Sequence, residues 1–282
     1  MELTHEIADL KKRCGAWREQ GLTIGLVPTM GYLHAGHLSL VDHARANADR
    51  VVVSVFVNPT QFGANEDLGL YPRDLEHDMN LAREHGADLV FAPAPEAMYA
   101  PDHATWVQVP ELAAGLCGVS RPIHFRGVCT VVLKLFNLVR PDIAVFGQKD
   151  WQQLAIIRRM VRDLNLDVDV RGMPIYREPD GLAMSSRNVN LTPEERRNAP
   201  SIRRGLELVQ EAVRAGERDT EKLGPIFRAN VAKHLPEARV DYASFVHPDS
   251  LAPVARIDGP TLLAVAVFMA RTRLIDNMLL EV

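Results

Sequence analysis

Pro28-Thr29-Met30-Gly31-Tyr32-Leu33-His34-Ala35-Gly36-His37 is the stretch on which the reading of this chain turns. The apolar run that leads into it, residues 23–28, lacks polar alternation and reads as a strand buried on both faces. Beyond it, Leu38, Leu40, Val41 and Ala44 recur at helical spacing. His34 and His37 therefore stand where a strand feeds a helix. Free backbone N–H groups and the positive end of the helix dipole gather at such a point. Gly31 and Gly36 carry no side chain, so a phosphate can approach the backbone there.

Working outward, the same strand-then-helix alternation fills the first two-thirds of the chain. Strands are predicted over residues 23–28, 51–57, 88–92 and 142–146, and helices over 4–20, 36–48, 73–85, 127–139 and 151–164. This pattern predicts the α/β class: a Rossmann-like, doubly wound parallel sheet in a nucleotide-binding domain of residues 1–175, with ligands beyond the C-terminal strand ends where strand order switches. Near residue 175 the character changes. Residues 177–190 are polar and turn-rich, with Asp180-Gly181 as a turn signal. Thr192-Pro193-Glu194-Glu195 then opens a helix, with Thr192 as N-cap, Pro193 in the first turn and Glu195 as reciprocal capping partner. Helices over 193–215 and 220–235, then strands over 240–246, 262–269 and 273–280, make a smaller C-terminal α+β domain, 176–282, expected to close over the active site.

Composition narrows the class of function. At 282 residues with 47% hydrophobic and 24% charged residues, the chain is an ordinary globular protein rather than a disordered one. Lys+Arg 32 against Asp+Glu 36 leaves a net charge of −4, which argues against a dedicated nucleic-acid binder. Cys14, Cys117 and Cys129 are odd in number and scattered, so neither a disulfide framework nor a zinc spacing is available, and a reducing cytoplasm is expected. The apolar runs 51–57 and 262–270 are too short to span a bilayer. Residues 1–20 read as an amphipathic helix rather than a signal peptide.

Four further segments carry chemistry. Asn58-Pro59-Thr60-Gln61-Phe62 follows a strand, and its amides, which both donate and accept, suit a reader of a hydroxyl and a carboxylate. Taken alone, Asn before Pro also reads as a plain turn. Arg121-Pro122-Ile123-His124-Phe125-Arg126-Gly127 leads into an apolar helix; its cations suit an anion or simply face water. Phe146-Gly147-Gln148-Lys149-Asp150-Trp151-Gln152-Gln153 again sits at a strand end entering a helix. Lys149 would meet phosphate as a point charge. Asp150 would take a ribose hydroxyl, assist Mg²⁺ or cap the helix, and Gln153 lies one turn further in. Met184-Ser185-Ser186-Arg187-Asn188 puts two hydroxyls and a guanidinium on a segment that reads as mobile. His34, His37, Lys149, Ser185, Ser186 and Arg187 are thus the candidates for charge and hydrogen bonding around a phosphate.

Histidine–x–glycine–histidine at a strand-to-helix turn resembles the signature of the nucleotidyl-transfer superfamily, whose members attack the α-phosphate of ATP. Taken together, these runs, with Tyr71-Pro72-Arg73 and Thr272-Arg273-Leu274-Ile275-Asp276-Asn277, resemble the pantothenate synthetase (pantoate–β-alanine ligase) family over nearly the whole chain. That resemblance implies a homodimer that condenses pantoate with β-alanine through a pantoyl adenylate, using ATP and Mg²⁺ and releasing AMP and pyrophosphate. Position by position it implies ATP along Met30, Gly31, Tyr32, Leu33, His34, Ala35, Gly36 and His37, with His37 as the proton-donor position. Gly147, Gln148, Lys149, Asp150, Tyr176, Met184, Ser185, Ser186 and Arg187 would complete the nucleotide site. Asn58, Gln61, His124 and Gln153 would surround pantoate, and Gln61 would border β-alanine. The chain departs from the family pattern at Ile123 and Ala270, where glycine is common, and at Tyr176, where a small aliphatic residue is usual. The competing reading is a nucleotidyltransferase of the same superfamily acting on a phosphorylated small molecule; the amide-rich 58–61 loop favours a carboxylic hydroxy acid instead.

Overall fold

Every strand of the larger sheet that follows the first is read in the sequence either as an uninterrupted apolar run or, at one edge, not at all. A computed structural model describes residues 1–63, 66–270 and 272–282. In it β1 (Glu2–Thr4), β2 (Ile24–Thr29), β3 (Arg50–Val55), β4 (Leu89–Phe91), β5 (Ile143–Gly147) and β6 (Asp169–Met173) form a six-stranded sheet in the order β1-β4-β3-β2-β5-β6. All of its pairings are parallel. The order reverses between β2 and β5, which makes their C-terminal ends the topological switch point. Helices α1 (Ile7–Glu19), α2 (Ala35–Asn47), α3 (Leu75–Glu84), the single turns α4 (Pro95–Met98), α5 (Pro110–Ala113) and α6 (Cys117–Ser120), then α7 (His124–Val139) and α8 (Trp151–Asp163) accompany the sheet. Val27, Val41, Ala44, Val51, Val53, Val90 and Val145 lie in one of its buried clusters.

Two compact units are distinguished. The first holds residues 1–114, 118–148 and 156–174; the second holds 115–117, 149–155 and 175–282. The second contains α9 (Pro193–Asn198), α10 (Ser201–Arg214) and α11 (Thr220–His234), and an antiparallel sheet β7 (Arg239–Val246), β8 (Thr261–Met269), β9 (Thr272–Leu280) in that order. Leu206, Val209, Phe227, Leu263, Val265 and Val267 belong to its core, all at or below 1% exposure. The expected fold class, a parallel Rossmann-like sheet with a smaller α+β part, is what is found.

Three local expectations need correction. Residues 1–20 are not one helix: Glu2–Thr4 pairs in parallel with β4 before α1 begins, so sheet-edge pairing overrides local helical pattern. The sequence showed no strand over 169–173, because β6 is an edge strand carrying Asp169 and Arg171 without an apolar run. The helix expected over 193–215 is two, α9 and α10, interrupted at Pro200, whose nitrogen cannot donate to a preceding turn. The capping box at its start is as read: Thr192 Oγ1 accepts from Glu195 N at 3.2 Å, and Glu195 Oε2 from Thr192 N at 2.8 Å.

Candidate active site

β2 delivers the two-histidine turn at the switch point, and the turn is shaped by a carboxylate the sequence reading passed over. Gly31 and Tyr32 both adopt left-handed backbone, at φ 83° and 52°. Tyrosine there costs energy that glycine would not. What holds it is Asp78, on α3 and 1% exposed. Its two oxygens accept from Tyr32 N at 2.8 Å and Leu33 N at 2.6 Å. A Cβ at Gly31 would stand 2.9 Å from Asp78 Oδ2 and from Val55, so only glycine fits under the carboxylate. Burial pushes the Asp78 carboxyl above the ordinary value, with the two backbone donors pulling it back. His34 then caps α2, its Nδ1 accepting from Gly36 N at 3.2 Å. The rings of His34 and His37 stack with centroids 4.0 Å apart. Ala35 and Gly36 form the first turn of α2.

β3 delivers the amide turn, Pro59–Gln61, capped by Asn58. Asn58 is 1% exposed, Gln61 6% and His124 8%. Asn58 Nδ2 donates to Gln61 Oε1 and to Gly127 O, both at 3.1 Å. Gln61 Nε2 reaches Met30 Sδ at 3.0 Å, which joins this turn to the two-histidine segment. His124 Nδ1 lies 3.0 Å from Gln61 O, and Arg121 Nη1 lies 3.2 Å from His124 Nε2. The guanidinium donates to Nε2, so the imidazole proton sits on Nδ1 and donates to the Gln61 carbonyl. Met30, Asn58, Gln61 and His124 are thus brought together.

Arg121 and Arg126, read as suiting an anion or facing water, are engaged within the protein. Arg121 Nε donates to Glu66 Oε2 at 2.7 Å, and Arg126 lies over the Trp106 ring at 4.5 Å. Each cation already has a partner in the protein. Moreover the helix expected over 127–139 begins earlier, at His124. Ile123 sits just before them at φ −94°, ordinary backbone that needs no glycine.

β5 ends at Gly147, and Gln148, whose Nε2 donates to Gly172 O at 3.3 Å, begins the 3₁₀ turn Gln148–Asp150. In the second unit, Lys149 has its ammonium pushed below the ordinary lysine value, chiefly by burial; Asp150 and Asp276 oppose the shift and Arg187 adds to it. Its main-chain oxygen accepts from Asn277 Nδ2 at 3.0 Å. Asp150 is exposed at the end of the turn, and Gln153 is half-buried on α8.

Residues 184–188, expected to be mobile, lie in a hydrogen-bonded stretch. Met184 N donates to Tyr176 O at 3.0 Å, Glu178 N to Leu182 O at 2.8 Å, and Asn188 Nδ2 to Glu178 Oε1 at 2.7 Å. Arg196 on α9 holds Asp180 at 2.6 Å and Glu178 at 2.5 Å. Ser185 caps the turn Ser186–Asn190, its Oγ accepting from Arg187 N at 3.3 Å, and Ser186 is 7% exposed. The polar residues that read as loop composition are spent on one another. Tyr176 takes part through its main chain, while its side chain is 44% exposed.

With this geometry in hand, comparison with known proteins is specific. The family model described as pantoate-beta-alanine ligase matches residues 2–279. The chain belongs to the pantoate–β-alanine ligase family. It is 59% identical over 279 residues to the pantothenate synthetase of Solidesulfovibrio magneticus, covering 99% of this chain and 98% of that one. To the pantothenate synthetase of Moorella thermoacetica it is 54% identical over 285 residues, covering 100% and 99%. Among solved structures, the pantothenate synthetase of Thermus thermophilus superposes with a TM-score of 0.92 at 46% identity, over 99% of each chain. The pantoate-beta-alanine ligase of Francisella tularensis, solved with beta-gamma ATP and beta-alanine, superposes with a TM-score of 0.80 at 32% identity, over 99% of this chain and 97% of that one.

Asp78, Glu66 and the Arg177–Asp276 pair were missed by sequence reasoning. Asp78 left a signal: Leu75, Asp78 and Ala82 fall on one stripe of α3, so an acid occupies a core-facing register. The partners of Arg121 and Arg177 are 55 and 99 residues away, beyond any local pattern.

Proposed function

We propose that this chain joins pantoate to β-alanine at the expense of ATP, through a pantoyl adenylate. The observation that carries this is the Gln61 contact to Met30. It makes the neutral amide–imidazole cluster of Asn58, Gln61 and His124 contiguous with the two-histidine turn, so an acid with hydroxyls would lie beside a nucleotide phosphate. A pantoate carboxylate oxygen bonds to the α-phosphorus, and the bond to the pyrophosphate oxygen breaks. The β-alanine nitrogen then bonds to the activated carbonyl carbon, loses its proton, and the carbon–oxygen bond to AMP breaks. Both centres belong to the substrates, so the protein needs no nucleophile of its own. Positioning and placed charge supply the catalysis. His34 and His37, the latter as proton donor, serve the phosphates from α2. Lys149, Ser185, Ser186 and Arg187 supply charge and hydrogen bonds to the triphosphate, and Met30 to Ala35, Gly36, Gly147, Gln148 and Tyr176 contact the nucleotide. Asn58, Gln61, His124 and Gln153 hold pantoate, and Gln61 borders β-alanine.

Mg²⁺ enters this reading with the triphosphate. Among the described residues no group of three or more His, Cys, Asp or Glu could hold a metal ion. An ion held mainly by phosphate oxygens and water takes one or two carboxylates, and Asp150, the exposed acid in the turn after β5, would be one. When bound, Mg²⁺ supplies neutralising charge for the departing pyrophosphate. We place the activity in the cytoplasm, where the free thiols fit a reducing compartment, and in a homodimer. No described helix is long and apolar enough to cross a membrane.

Incubation with ATP, Mg²⁺, pantoate and β-alanine should yield pantothenate, AMP and pyrophosphate in equal amounts. Without β-alanine, pantoate should still exchange labelled pyrophosphate into ATP. A pyrophosphate-linked nucleotide product from a phosphorylated substrate, with no AMP, would instead select the nucleotidyltransferase reading.

A further inference from the structure

Thr272 to Asn277 contribute to the family resemblance, yet the proposed reaction gives none of them a part. The structure shows two of them engaged with the segments assigned to phosphate. Asp276 is 4% exposed and Asn277 6%, at the middle of the β8–β9 ladder opposite Val265 and Ala264. Asp276 takes Arg177 in a bidentate pair, Nη1 to Oδ2 at 2.8 Å and Nη2 to Oδ1 at 2.9 Å, and also accepts from Asn277 N at 2.8 Å. Arg177 Nη1 in turn donates to Gly181 O at 3.0 Å. Arg177 and Ala183 form an isolated bridge just before Ser185. One residue along, Asn277 Nδ2 donates to the main-chain oxygen of Lys149 at 3.0 Å.

We propose that Asp276 and Asn277 are positioning residues: a single strand, β9, fixes the backbone of Lys149 through one side chain and the root of the Ser185–Ser186–Arg187 turn through the next. The inference rests on the reading of these segments as phosphate-binding. A buried ion pair is weak evidence for stability, since the cost of desolvating two charges offsets most of their attraction. What the pair does provide is register, and a rigid strand holds a site more closely than a loop can.

The test is pantoate-dependent exchange of pyrophosphate into ATP by the full-length protein, with Lys149→Ala as reference. Asn277→Ala removes the hydrogen bond to the Lys149 oxygen and no charge. It should lower the exchange kcat about tenfold or more, while the KM for pantoate stays within roughly twofold. Asp276→Asn breaks the bidentate pair that holds Arg177 and should lower the exchange kcat by a comparable factor, again with the KM for pantoate within roughly twofold. Wild-type kcat in both folded variants, with Lys149→Ala impaired, would overturn the proposal. Should Asp276→Asn fail to fold, the kcat and pantoate KM of Asn277→Ala decide alone. Exchange at the wild-type rate by Lys149→Ala would instead refute the phosphate reading itself.

Discussion

Asp78 shows how one side chain can dictate a turn. Its carboxylate has two lone-pair faces for two backbone N–H groups, which Asn cannot reproduce: the amide nitrogen would oppose one donor with another. Asp78→Asn should therefore lower kcat/KM for ATP by about 10- to 100-fold, equivalent to ~1.4–2.8 kcal/mol, with the KM for β-alanine little changed. The pH dependence follows from the direction of its shift. The carboxylate form is the one that serves the turn, and burial raises its pKa, so activity should fall on acidification from above the ordinary carboxylate range. Stability runs the other way for this group. A folded pKa above the unfolded one means that ionisation costs stability at neutral pH, and acid relieves that cost. Acid loss of rate without acid unfolding is the expected pairing. At Lys149 the sign is opposite. Burial lowers the pKa, so adenylation should decline as pH rises, beginning below the ordinary lysine range. Lys149→Arg should abolish that alkaline limb, since guanidinium stays charged, while lowering the rate at its plateau. The positions of the histidines and of Lys149 just beyond strand ends were legible, because an apolar run that stops at glycine marks where a strand feeds a turn. Asp78 was not read because an acid inside a helix pattern looks like surface until its stripe is traced.

At the scale of elements, helix α7 meets the amide turn through bare backbone. A Cβ at Gly127 would stand 2.5 Å from Thr60 O and 2.6 Å from Gln61 N, both main-chain atoms that can yield only by moving the turn. Gly127→Ala should raise the KM for pantoate by roughly 10- to 100-fold while leaving the KM for ATP nearly unchanged, as steady-state kinetics with each substrate varied would show. The β8–β9 hairpin carries a smaller strain. Ala270 has φ 41° between the paired Met269 and Thr272. Ala270→Gly should stabilise the protein by about 0.5–1 kcal/mol in denaturant unfolding, the left-handed cost being offset in part by glycine's looser unfolded chain. Strands buried on both faces were readable as apolar runs, and the capping box fixed a helix start. β1 and β6 were not readable, because short edge strands owe their pairing to neighbours distant in sequence.

At the scale of the molecule, the described residues form two sheets, and each compact unit has buried clusters of its own. Phe227, 0% exposed, anchors the second: a Cβ at Gly205 would come within 2.8 Å of its ring. Phe227→Ala should cost ~3–5 kcal/mol. If each unit unfolds on its own core, calorimetry of this variant should separate an early transition from a later one that matches the wild type. The alternation of strands and helices made the first unit legible as a class. The second was visible as a change of composition, but the assignment of residues 115–117 and 149–155 to it had no sequence signal, since it depends on packing alone.

The burial of every cysteine has a practical consequence. Cys14 and Cys129 are at most 2% exposed with thiols pushed up to about 12, and Cys117, at 9%, lies 3.4 Å from an Arg273 nitrogen. The folded native chain should therefore be nearly inert to maleimide reagents. A fluorophore attached through Val189→Cys, at a residue 61% exposed in the Ser186–Asn190 turn, would then report on nucleotide arrival without any native thiol having to be removed.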